Sequence, residues 1–166
     1  MYKRIFDIIF SSLGVLILIP FFLILILLSK IYMDKGPIFF IQERVGKNKQ
    51  PFNLYKFRSM YINTKSVATH LANTSSITPF GRFLRKSKLD ELPQLWNVFV
   101  GDMSLVGPRP NLFNQEELIH ERNSRGVYSV RPGITGLAQI NKIDMSTPQL
   151  LAETDARMIN ELNTLG

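Results

Sequence analysis

The sequence predicts a mostly helical α+β protein: one apolar N-terminal membrane helix over residues 1–33, and a small domain over 34–166 with a few short strands. Three observations predict it. Ile8 to Leu28 carries no charge, and from Leu13 onward only Gly14 and Pro20 interrupt its large apolar residues. Two aromatic, β-branched segments follow at Ile38–Arg44 and Phe52–Phe57, the right length for strands. Thr78-Pro79 and Thr147-Pro148 each set a capping hydroxyl before a proline, a helix-start signature.

Length and composition bound the rest. The chain has 166 residues, 45% hydrophobic and 20% charged, so disorder does not describe it. It has no cysteine, which excludes disulfides, thiolate metal sites and a cysteine nucleophile. The net charge is +7, split as +11 over residues 1–89 and −4 over 90–166. The basic half carries the apolar segment, which suits anionic lipid headgroups. A basic half can also meet nucleic acid; the apolar run and the acidic second half argue against that.

Taken in order, the apolar run comes first. A straight helix over it would be roughly 31 Å long, enough to cross a hydrocarbon core. No small-x-small cleavage site follows, which counts against a signal peptide. Lys3 and Arg4 precede the run and Lys30 and Lys35 follow it, so positive charge does not choose one inside face. By composition a single span is the default, and a hairpin re-entering to the same face, bent at Pro20, is the alternative. The two strands flank a basic loop, VGKNKQ. Ser59 to Lys65 is expected as a helical turn and Ser66 to Thr78 as a loop. A helix is expected from Pro79 through GRFLRK. A second is expected over Glu91–Val100, with Asp90 as N-cap, Leu92, Leu95, Trp96 and Phe99 as one buried stripe, and Gly101 as its end. SLVGPRP and PGITG are tight Gly/Pro loops. Leu112–Arg122 reads as helix, Leu137–Ile140 as a short strand, and a last helix runs from Pro148 to about Leu162.

Few residues offer chemistry. Asp90-Glu91 is the only adjacent acid pair inside an organised motif, RKSKLDELPQLWNV, with Arg82, Arg85, Lys86 and Lys88 just before it. A carboxylate there would stay ionised and near bound anions. Asp is also a favoured N-cap for local reasons alone, and both readings stand. Arg109 and Arg131 sit beside proline and glycine, where a pre-positioned planar guanidinium suits phosphate or simply faces water. Arg44 and Arg58 are expected to pair with the acidic half, and Glu116, Glu117 and Glu121 to form a solvated face. No P-loop, GxGxxG or GxSxG motif occurs. His70 and His120 are the only histidines, which makes a two-histidine zinc site improbable.

Together the segments KRIFDIIFSSLGVLILIP, GPIFFIQERVGKN, FNLYKFRSM, TPFGRFLRKSKLDELPQLWNVFVGDMSLVGPRP and RPGITGLAQIN resemble the bacterial sugar transferases, the monotopic polyprenyl-phosphate phosphoglycosyl transferases. They cover nearly the whole chain in family order. The resemblance implies a re-entrant helix broken at Pro20, where Ile19 stands in place of the serine usual before that proline. It implies a catalytic domain over 34–166 on the cytoplasmic face of the bacterial inner membrane. It implies Asp90 as nucleophile and Glu91 as its dyad partner, both set down as ligands of Mg²⁺ with Glu91 alternatively handling the acceptor's proton, and Arg85 and Arg131, with Arg109 added from its loop, as binders of substrate phosphate. The reaction implied moves a sugar 1-phosphate from a UDP-sugar to undecaprenyl phosphate through an aspartyl phosphosugar, releasing UMP and initiating a surface glycan. The segment from Ile140 to Met158 resembles a subgroup using N-acetylated hexoses or deoxyhexoses. Membrane lipid is an implied partner and nucleic acid is not; a homodimer is left open. The chain ends at Gly166, earlier than typical members, so the alternative expectation is a truncated or non-catalytic membrane-anchored scaffold of a polysaccharide-assembly complex.

Overall fold

The computed structural model describes residues 2–62, 64 and 74–164. His70 and most of the expected 66–78 loop fall outside them.

Helix α1 spans Tyr2–Tyr32 and is continuous through Pro20, where the resemblance implied a break. A proline removes one hydrogen bond and can bend a helix without ending it. The buried residues of α1 are Asp7, Ser11, Leu25 and Ser29, while many large apolar residues between them face away from the protein. Both ends touch the following domain. Lys3 Nζ donates to Ser104 Oγ and to the Val106 carbonyl, and Arg4 donates to the Val98 and Phe99 carbonyls. At the other end Leu25 packs with Phe57 and Leu84 in one core cluster.

Strands β1 (Phe39–Val45) and β2 (Pro51–Phe57) pair antiparallel, Phe39 opposite Phe57 and Val45 opposite Pro51. They match the expected strands to within a residue. Period-two alternation sends Leu54 and Phe57 into two different core clusters and turns Gln42 and Arg44 inward. Helix α2 (Pro79–Lys86) starts as its sequence signalled, with Thr78 Oγ1 accepting from the Gly81 N–H at 2.9 Å. Before it, Met60 bridges Ile77 in extended pairing, so the turn expected at Ser59–Lys65 is not helical where the chain is described.

Helix α3 spans Gln94–Val100, shorter than expected, and Gly101 at φ 102° closes it. Its expected buried stripe is corrected. Gln94, Asn97 and Val98 are the buried face, while Trp96 and Phe99 are 51% and 41% exposed. Asn97 anchors that face by donating to the Asn53 carbonyl and accepting from the Tyr55 N–H. Two hydrogen bonds to the hairpin outrank an apolar period here, and the apolar side of α3 is left beside α1, where Leu95 meets Gly14.

The two Gly/Pro loops come together. β3 (Ser104–Val106) and β4 (Gly133–Thr135) form a parallel two-strand ladder. A Cβ on Gly133 would fall 2.1 Å from the Gly107 nitrogen, so this approach requires glycine. Leu137–Ile140 is helix α5, not the expected strand: Gly136 and Leu137 carbonyls accept from Ile140 and Asn141. Four mostly apolar residues are too short a segment for periodicity to separate the two. Helix α4 spans Glu116–Ser124 and begins late, because the Gln115 side chain first accepts from the Leu112 N–H. Helix α6 spans Pro148–Thr164 as expected. A buried ion pair, Arg122 Nη2 to Asp155 Oδ2 at 2.7 Å, ties α4 to α6.

Candidate active site

The site is built by the turn between α2 and α3. Lys88 takes φ 61°, reversing the chain, and Leu89–Glu91 forms a 3-10 turn. Asp90 is therefore not the N-cap of α3; that position is Pro93, without a side-chain cap. The turn leaves Asp90 8% exposed, its carboxylate without a hydrogen-bond donor among the described residues. Burial pushes its pKa above the usual aspartate value, against the pull of Lys56.

Glu91 has the opposite setting. Its Oε1 accepts from Arg109 Nη2 at 2.5 Å and from Lys56 Nζ at 3.3 Å. Burial opposes its ionisation, but Lys56 and Arg109 outweigh that and hold its pKa down at about 2. Adjacent acids are thus pushed apart by environment, as in many catalytic pairs.

Cations close the site. Lys56 comes from β2, and burial lowers its pKa. Arg44, from β1, donates to Gln42 Oε1 at 2.5 Å and to the Pro110 carbonyl at 3.1 Å; burial lowers it to about 10. Arg85, in the last turn of α2, donates from Nε to Ser59 Oγ at 2.8 Å, which aims its guanidinium into the same cavity. That cavity, about 160 Å³, is lined by Asp90, Glu91, Lys56, Arg85 and Arg109 and by the apolar side chains Phe40, Met60 and Ile62. A second cavity of about 560 Å³ shares Arg44, Lys56, Lys88, Glu91 and Arg109 as a common wall and adds Thr135, Gln139 and Lys142.

The structure thus gathers Asp90, Glu91, Arg85 and Arg109, but not Arg131, which donates to the Gly101 carbonyl and lines a different cavity. Sequence reasoning missed Lys56 and Lys142. A lysine inside an aromatic strand was the available signal for Lys56. Arg44 does face an acid, Glu91, whereas Arg58 bonds Asp34 and the Pro37 carbonyl, both in the basic half. Among the described residues no three acids or histidines cluster. The donor set still fits Mg²⁺, which commonly takes one or two carboxylates and completes its shell with water and substrate phosphates: Asp90 is unpartnered, and Glu91 Oε2 accepts nothing among the described residues.

Comparison with known proteins identifies the family. Residues 1–165 match the family described as bacterial sugar transferase. The exopolysaccharide production protein PSS of Rhizobium leguminosarum bv. phaseoli is 40% identical, over 99% of this chain and 85% of its own length. The UDP-glucose:undecaprenyl-phosphate glucose-1-phosphate transferase of Klebsiella pneumoniae is 45% identical over 84% of this chain and 31% of its own. The undecaprenyl-phosphate galactose phosphotransferase of Salmonella typhimurium is 40% identical over 87% and 34%. The chain spans about a third of the length of these two transferases. With residues 1–165 of its 166 matched, the chain belongs to the bacterial sugar transferase family.

Proposed function

We propose that the protein is a phosphoglycosyl transferase that moves a sugar 1-phosphate from a UDP-sugar to undecaprenyl phosphate, releasing UMP and initiating glycan assembly. The observation that carries this reading is the desolvated, unpartnered Asp90 carboxylate facing a cavity walled by Lys56, Arg85 and Arg109.

In this mechanism an Asp90 oxygen attacks the β-phosphorus. The bond from that phosphorus to the bridging oxygen breaks, and UMP leaves with the electron pair. An oxygen of undecaprenyl phosphate then attacks the aspartyl phosphorus, restoring the carboxylate and forming the lipid diphosphate sugar. Arg85, already fixed by Ser59, and Arg109, fixed by Glu91, would balance charge on the transferring phosphoryl group. Glu91 holds the two cations in place, and with Asp90 it would hold Mg²⁺. The ion would neutralise the diphosphate and ease departure of UMP.

We read α1 as re-entrant, with the domain on the cytoplasmic face. Lys3 and Asp7 bond β3 at one end, and the Asp34–Arg58 pair ties down the chain just past the other. A straight crossing would carry one end tens of ångströms from the domain. As to the sugar, the Ile140–Met158 segment suggests an N-acetylated hexose or deoxyhexose, while the two transferases above are named for glucose and galactose.

The test is UMP release in detergent with Mg²⁺, undecaprenyl phosphate and a panel of acetylated and plain UDP-hexoses. Release with one sugar class, lost in Asp90→Asn, is expected. Release that survives Asp90→Asn would discard the nucleophile; silence from folded protein would favour the scaffold.

A further inference from the structure

Arg131 lines a cavity of about 360 Å³ at the start of α1, together with Lys3, Arg4, Lys47 and, as the only acid in its lining, Asp7. Asp7 is already engaged. It accepts from Ser104 Oγ at 3.1 Å and the Leu105 N–H at 3.0 Å, and Lys3 lies 3.7 Å away. Arg4 is spent on the Val98 and Phe99 carbonyls. Arg131 is different. Its Nε donates to the Gly101 carbonyl at 2.6 Å, which fixes the guanidinium, and its two terminal nitrogens donate to nothing among the described residues. Lys47 Nζ likewise has no partner among them, and Arg131 and Lys3 repel one another.

Asp7 offsets Lys3, but Arg131 and Lys47 have no acidic partner among the described residues, and two such cations, one a fixed planar fork, make a site for a phosphate group. Its position adds to this. Ile5, Phe6 and Ile9 of the same helix face outward at 46–54% exposure, so the cations stand beside an apolar surface, as at the headgroup level of a membrane. We propose that this cavity binds a phosphate group, the chemistry shared by an anionic lipid headgroup and a free phosphate, with Arg131 and Lys47 as its principal donors. It is separate from the Asp90 cavity and does not depend on the reaction proposed there.

The experiment follows thermal unfolding of the full chain in non-ionic detergent. It is titrated with short-chain phosphatidylglycerol, short-chain phosphatidylcholine or inorganic phosphate. A rise with phosphatidylglycerol is expected, with half-saturation about fivefold weaker in each of Arg131→Gln and Lys47→Gln. Asp90→Asn should keep the full response. Because Lys47 makes no side-chain bond among the described residues, its variant guards against a folding defect in Arg131→Gln. An Arg131-dependent response to inorganic phosphate alone would keep the site and assign it to a soluble anion. No rise with any of the three, or equal half-saturation in wild type and both variants, would overturn it.

Discussion

At the residue scale, Asp90 and Glu91 answer protons in opposite ways. Burial raises the Asp90 pKa, so its ionised form is the strained one. Asp90→Asn should leave the unfolding midpoint unchanged or raise it, even as UMP release falls by about 10³-fold or more; a clear drop in midpoint would contradict the assignment. Glu91 is held at about 2 against 4.5 in the unfolded chain. A depressed carboxylate stabilises the fold above its unfolded pKa and loses that contribution as pH falls through the folded one. Between roughly pH 4.5 and 2 the protein should lose about 3 kcal/mol from this group, a slope that Glu91→Gln should flatten in acid-unfolding curves. Asp90, by contrast, should set an acid limb of activity above the ordinary aspartate range, read from kcat/KM against pH.

At the element scale, two contacts hold the cationic wall. Helix α2 lies so close to the segment after β2 that a Cβ on Gly81 would be 1.9 Å from the Ser59 carbonyl oxygen. Gly81→Ala must push α2 off Ser59, the partner of Arg85. A loss of about 1–3 kcal/mol by denaturant titration is expected, with activity falling further than stability explains. Arg122 reaches from α4 to the Arg109 carbonyl at 2.8 Å while paired to Asp155. Arg122→Ala leaves Asp155 buried and unpaired and should cost about 3–5 kcal/mol, whereas Arg122→Met with Asp155→Leu should recover most of that in the same titration. If both variants are equally unstable, the pair is not the reason for the ion's burial.

At the scale of the whole molecule, the question is where the ends of α1 lie. The chain has no cysteine, so Tyr2→Cys and Lys35→Cys are clean reporters. On the re-entrant reading proposed above, both should react with an impermeant thiol reagent from the same membrane face, in keeping with the contacts of Lys3 and Asp34 with the domain. Reaction from opposite faces would make α1 a span. The outward apolar side of α3, where Trp96 and Phe99 lie tilted with ring centroids 5.5 Å apart, adds to the exposed apolar surface that α1 presents.

Much of this was legible in the chain alone. Periodicity, charge-free length and capping chemistry are local, and they located α1, the β1–β2 hairpin, the starts of α2 and α6, and the Asp90-Glu91 motif. Local rules failed where a distant partner decided. Asn97 faces inward because the hairpin offers it backbone groups to bond, which no helical period encodes. Leu137–Ile140 is helical because Gly136 is drawn against Gly107 across the β3–β4 ladder, not because of its own four residues. Lys56 and Arg109 reach Glu91 from positions 35 and 18 residues away, and only that convergence separates the two acids' pKa values. Arg131 shows the limit most plainly. Its Pro/Gly neighbours prepare it to bind an anion, but the Gly101 carbonyl turns it away from Asp90, and direction is set by the fold.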